Sequence, residues 1–158
     1  MTDASHYMQL AIDDCRSGFP SADGGPFGAS IVKNGDLIAS GHNTVLRDND
    51  PTAHAEIMTI RQAARELGSW DLSGCEIYST TEPCPMCFAA IHWARIDAIY
   101  MGTRIEDVAA MGFSELSLSN EQFKSIAGLD VRLTDNIAVD ACRKLLTDWK
   151  SQSAASTY

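Results

Sequence analysis

Positive charge is scarce in this chain. Twelve Lys and Arg stand against 21 Asp and Glu among 158 residues, a formal net charge of -9. A surface of that sign repels phosphate backbones and anionic membrane faces, so a nucleic-acid partner is disfavoured. Long apolar runs are missing too: the longest uncharged stretch, residues 83–94, is too short to cross a bilayer. Met1-Thr2-Asp3-Ala4-Ser5-His6 has no basic n-region, so a cytoplasmic protein with no membrane partner is expected. Cysteine is sparse and odd in number, at five, and only Cys84 and Cys87 sit close together. That argues against a disulfide framework and for metal ligation or buried thiols. The apolar poverty that marks disorder is absent, since 45% of residues are hydrophobic and 21% charged. The length predicts one domain over residues 1–150, followed by an uncharged tail over 151–158.

Apolar residues recur every three or four positions at Tyr7, Met8, Ala11, Ile12 and Cys15, which predicts a helix over 3–16. Two β-prone runs, 27–33 and 36–40, flank Asn34-Gly35, a strong hairpin signal. Asp50-Pro51-Thr52 offers an N-cap and an early helical proline for a helix that Gly68 closes, with His54, Ala55 and Glu56 in its first turn. Strands are expected over 76–80, 98–101 and 129–134, and helices over 85–94, 106–111 and 138–149. Strands alternating with helices imply a three-layer α/β/α domain with a mixed central sheet, antiparallel at the hairpin and parallel at the crossovers.

The chemistry concentrates in His54-Ala55-Glu56 and Pro83-Cys84-Pro85-Met86-Cys87. Two thiolates separated by two residues at a helix start can face one ion, and the helix N-terminus favours their negative charge. His54 completes a three-ligand set suited to Zn²⁺, leaving the fourth tetrahedral position for water, the arrangement of a catalytic rather than a structural site. Cys15, Cys75, Cys142 and His92 are poor candidates for a fourth ligand. Glu56, two residues from His54, can reach that water as a general acid and base without ligating.

These two segments match the H-x-E…P-C-x-x-C signature, and the chain resembles the cytidine and nucleobase deaminase superfamily over roughly residues 3–112. The resemblance implies His54, Cys84 and Cys87 as ligands of one zinc ion per subunit, and Glu56 as the proton shuttle. Gly24-Gly25-Pro26-Phe27-Gly28, Gly41-His42-Asn43, Asn49-Asp50-Pro51-Thr52-Ala53, Ala90-Ile91-His92-Trp93-Ala94-Arg95 and Gly112-Phe113-Ser114-Glu115 look like bacterial guanine deaminases. A purine base is then the small-molecule partner, with Phe27, Asn43, Ala55, Trp93 and Tyr158 around it and Glu115 as a second catalytic acid. A purine needs apolar walls and a few polar readers, which Phe27, Trp93 and the Asn43 amide suit. Phe27 and Trp93 suit core packing as well, Asn43 a turn, and Glu115 a solvated loop. The same group of enzymes implies a homodimer that exchanges C-terminal segments, with Tyr158 closing a partner's pocket; otherwise the tail is a disordered end. Guanosine, cytosine or an ammeline-like triazine remain alternative substrates. A tRNA adenosine deaminase is the alternative that keeps the signature, yet Lys124 and Arg132 form no basic cluster for RNA.

Overall fold

Asn34 and Gly35 both take positive φ, 54° and 87°, and close a two-residue hairpin between β1 (Gly28–Lys33) and β2 (Asp36–His42). Only such primed turns match the twist of the strands they join, which is why this dipeptide sits there. The computed structural model describes residues 3–152 and 154–158. Met1, Thr2 and Ser153, which belong to the N-terminal stretch and the tail considered above, lie outside the described residues.

The remaining elements are α1 (Asp3–Ser17), α2 (Val45–Asp48), α3 (Ala55–Leu67), β3 (Cys75–Thr81), α4 (Pro85–Trp93), β4 (Ala98–Thr103), α5 (Ile105–Ala109), α6 (Asn120–Ala127), β5 (Arg132–Thr134) and α7 (Val139–Lys150). The sheet runs β2-β1-β3-β4-β5. Its first two pairings are antiparallel and its last two parallel, so the mixed sheet expected from the hairpin and the crossovers is present. Alternation along each strand divides the core. Ala29, Ile31, Ile77, Ile99 and Met101 face α3 and α4, where they meet Ala55, Ala63, Phe88 and Ile91. Val32 and Tyr78 face the other way, against Met8, Ile12 and Cys15 of α1 and Cys142 and Leu145 of α7. Each fully buried isoleucine contributes about 1.5–3 kcal/mol of burial energy, and together they hold the three layers in place. No helix among the described residues is long and apolar enough to cross a membrane.

Several expected boundaries move. α3 begins at Ala55 and not near Pro51, because Asp50 Oδ1 accepts hydrogen bonds from both the Thr52 amide (2.8 Å) and its hydroxyl (2.7 Å) and so closes a local turn instead of capping the helix. His54 therefore becomes the N-cap residue. The last strand shrinks to Arg132–Thr134, since Leu129 and Val131 pack on the core outside the ladder with β4. α6 was not expected, although Ser119 and Gln122 form a capping box at its start and Gly128 closes it with φ 65°.

Candidate metal centre and base pocket

Two helix N-termini converge at the carboxyl end of β3. His54 is the N-cap of α3, Cys84 the N-cap of α4 with Pro85 immediately after it, and both have extended backbones, ψ 156° and 166°. Cys87 follows in the first turn of α4, so the unpaired amide ends of both helices face the groups that carry negative charge. His54 Nδ1 lies 3.6 Å from Cys84 Sγ and 3.5 Å from Cys87 Sγ, and the three donor atoms are mutually within 4.8 Å. Tetrahedral zinc, with Zn–S of about 2.3 Å and Zn–N of about 2.0–2.1 Å, requires a nitrogen–sulfur separation of about 3.6 Å. These residues fit zinc without rearrangement. Ligation through Nδ1 leaves the proton of the neutral imidazole on Nε2.

Charge in the site is unevenly shared. Hydrogen bonding to Cys87 and His54 draws the Cys84 thiol down to about 4, while the Cys84 sulfur and burial hold Cys87 well above the usual thiol range. Burial would lower the His54 pKa, but its hydrogen bond to Cys84, followed by the Glu56 and Cys84 charges, outweighs burial and raises it. Glu56, in the first turn of α3, is buried, and that burial, with the Cys84 sulfur, raises its carboxyl above the ordinary value. The Ser79 hydroxyl lies 3.1 Å from Glu56 Oε1 and bonds the Thr81 carbonyl at 2.6 Å, which holds the Glu56 side chain between β3 and the ligands.

A cavity of about 290 Å³ opens over this centre, walled by Phe27, Phe113, Tyr158 and Glu115 around His54 and Cys84. Glu115 also lines the inner recess, of about 30 Å³, that holds Glu56. Burial and then the negative Cys84 sulfur raise the Glu115 carboxyl. It stands beside the ligands, not in a solvated loop. Phe27 stacks edge-on against Phe113, at 5.2 Å between centroids, and forms both pocket wall and core margin. Asn43 is buried at 1% exposure, and its Oδ1 accepts from the Val45 amide (3.1 Å), the Gly25 amide (3.4 Å) and the Tyr158 hydroxyl (2.7 Å). Those donors set the orientation of its amide and leave Nδ2 without a partner among the described residues. Gly24 has no room for a Cβ against the Asn43 side chain, which explains a glycine there. Ala55 is fully buried as the first residue of α3 and packs in the core beneath the ligands.

Two expected partners sit differently. Trp93 is 73% exposed at the end of α4, its ring edge-on to His92, and it does not line this cavity. Trp93 ends α4 whereas Cys84 and Cys87 open it, so the two lie at opposite ends of the helix. The tail is not a loose end: Ala155 packs against the cluster of Val108, Phe113 and Trp149, and the Ser114 amide donates to a Tyr158 main-chain oxygen at 3.2 Å. In this single chain the tail closes over its own pocket, where the resemblance implied a partner's. Phe113 and Met86, which line the cavity, stand within the sequence motifs but had no role assigned there, and Ser79, at Glu56, was not singled out. Met86, between two ligand positions, was open to discovery from the motif itself, whereas Ser79 gains meaning only through the register of β3.

A His-Cys-Cys zinc centre with a free position and a buried carboxylate beside it, set under a mixed α/β/α sheet, defines a zinc-dependent hydrolytic deaminase, an enzyme that opens C–N bonds with water. The chain belongs to the cytidine and deoxycytidylate deaminase family, whose zinc-binding region matches residues 1–103. It is 39% identical over 137 residues to guanine deaminase from Bacillus subtilis, covering 84% of this chain and 88% of the relative. A tRNA-specific adenosine deaminase from Agrobacterium fabrum is 44% identical over 104 residues, 66% of this chain and 68% of that one. The solved guanine deaminase from Nitrosomonas europaea superposes with a TM-score of 0.84 at 30% identity, covering 93% of this chain and 84% of the other.

Proposed function

We propose that the protein hydrolyses guanine to xanthine and ammonia. The observation that carries this reading is the second carboxylate: Glu115 shares the inner recess with Glu56, beside His54 and Cys84. Guanine loses the exocyclic amine at C2, so one proton must reach the ring nitrogen and another the departing amine. When bound, zinc supplies the charge that makes a water molecule nucleophilic near neutral pH. Glu56 takes a proton from the attacking water and returns it to the ring nitrogen. Glu115, its carboxyl raised by burial, gives a proton to the amine and takes one back from the hydroxyl left on C2, so the C2 carbonyl forms as ammonia departs. Phe27, Phe113 and Tyr158 flank the ring, while Asn43, buried behind the cavity wall, acts on the base through the Tyr158 hydroxyl that donates to its Oδ1. The volume of about 290 Å³ lies just below the roughly 300–1,000 Å³ usual for ligand pockets and favours a free base over a nucleoside or an RNA loop.

The test is product analysis with zinc-loaded protein on guanine, guanosine, cytosine, ammeline and an anticodon stem-loop bearing adenosine. Xanthine and ammonia in equal amounts from guanine support the reading. Inosine in the stem-loop, with guanine untouched, replaces it with the tRNA alternative, for which the Agrobacterium relative is the supporting likeness.

The same proposal includes a cytoplasmic homodimer with exchanged tails, in which the contacts that Tyr158 makes here within one chain are made to a second copy. Free buried thiols at Cys15, Cys75 and Cys142 suit a reducing compartment. Trp93, 73% exposed, is a large apolar group that a second copy would cover. Light scattering of wild-type and Trp93→Ala protein tests this, with a dimer that weakens in the variant as the supporting result.

A further inference from the structure

Glu82 follows β3 directly and precedes Pro83-Cys84, and its side chain is fully buried. Glu82 Oε2 accepts from the Ile105 amide at 3.2 Å, and Oε1 from the Asn120 amide at 2.8 Å. Ile105 opens α5 and Asn120 opens α6, so one carboxylate meets the positive ends of two helices, with Arg104 Nε a further 3.2 Å contact. Asn120 reinforces the tie, its side-chain amide donating to the Pro83 carbonyl at 2.7 Å, one residue from the ligand Cys84. The segment between these two helix starts carries Glu115. The Glu115 side chain itself makes no hydrogen bond or ion pair among the described residues, so its distance from the centre is set by where its segment is anchored.

We infer that Glu82 is a positioning residue, clamping both ends of the segment that carries Glu115 to the turn that carries Cys84 and thereby setting the reach of Glu115 to the departing amine. A buried anion answered by two amides and a guanidinium is rigid, because removing either partner leaves the other buried and unpaired. Asn120 acts through the same joint. The inference rests on the role proposed for Glu115, and the experiment separates the two.

The experiment is a double-mutant cycle of Glu82→Gln and Asn120→Ala, each alone and each combined with Glu115→Gln, with kcat, KM and zinc content measured on guanine and hydrogen–deuterium exchange followed over residues 110–119. The expected result is a loss of about tenfold in kcat for Glu82→Gln with zinc retained and KM within twofold. That loss should shrink to less than twofold when Glu115 is already Gln, and exchange over 110–119 should quicken in both single variants. Equal losses with and without Glu115, unchanged exchange, or a rise in KM alone would overturn the inference and make Glu82 a simple structural or substrate-contacting group. Should Glu82→Gln fail to fold, Asn120→Ala, which keeps the backbone anchor, is read by the same exchange and cycle criteria. If Glu115→Gln leaves kcat unchanged, the role of Glu115 falls; if Glu115→Gln abolishes turnover, accelerated exchange over 110–119 in Asn120→Ala, with α1 unaffected, decides for the clamp and its absence against.

Discussion

The Tyr158 hydroxyl donates to Asn43 Oδ1 at 2.7 Å while accepting from the Gly25 amide at 3.1 Å, so this one side chain joins the loop before β1 to the residue after β2. These contacts bridge 115 and 133 positions of sequence and close the cavity over the metal centre. Replacing the hydroxyl leaves the Phe113 contact, an edge-on ring pair at 5.5 Å, in place.

Tyr158→Phe is therefore expected to weaken guanine binding more than chemistry. Loss of about 1 kcal/mol, a usual net value for one hydrogen bond, raises KM roughly fivefold with kcat nearly unchanged. Steady-state kinetics with parallel zinc analysis check it.

Glu56→Gln keeps the volume and hydrogen-bonding reach of the side chain beside Ser79 and removes its ability to take a proton. A fall in kcat of about 10²–10⁴, with zinc content and thermal stability close to wild type, is expected. Retention of most of the activity would remove Glu56 from the reaction.

His42 stands between two carboxylates, with Nδ1 2.7 Å from Asp14 and Nε2 2.8 Å from Asp23, while Ser40 also donates to Asp14 and Arg47 reaches Asp23 at 3.3 Å. Both ring nitrogens can serve as donors only in the imidazolium form. Its hydrogen bond to Asp14 raises the His42 pKa against the opposing effect of burial, and that partner in turn helps hold Asp14 below the ordinary carboxylate value despite burial. The His42 contribution to stability is thus fully present below its ordinary value of 6.5 and is lost as pH rises through the elevated folded value. For Asp14 the contribution is present above 3.8 and lost as pH falls through the lowered folded value. Thermal melts of wild type and His42→Gln should differ by about 1–3 kcal/mol near pH 6 and converge in alkaline buffer. A difference that persists unchanged to high pH would mean that His42 is held neutral.

Much of this architecture is legible in residue order, for identifiable reasons. Asn34-Gly35 specifies its turn locally, and the ligand set is legible because helix starts display His54, Cys84 and Cys87 in short motifs. Placement of Trp93 was misjudged because it closes α4 while Cys84 and Cys87 open it, which puts it at the end of the helix away from the metal centre. The start of α3 was misjudged because Asp50 had two local uses, cap and turn, and Thr52 favoured the turn. The clamp at Glu82 was invisible for a different reason: its donors come from Ile105 and Asn120, 23 and 38 positions away, and only the folded chain brings them together.

The account stands on the coordination around His54, Cys84 and Cys87, and zinc-edge X-ray absorption on freshly purified protein, with metal analysis, tests it most directly. The predicted result is one zinc per chain with two sulfur neighbours at about 2.3 Å and one imidazole nitrogen at about 2.0–2.1 Å, plus one exchangeable light atom. A shell filled by four protein ligands, or protein that takes up no zinc, would contradict it.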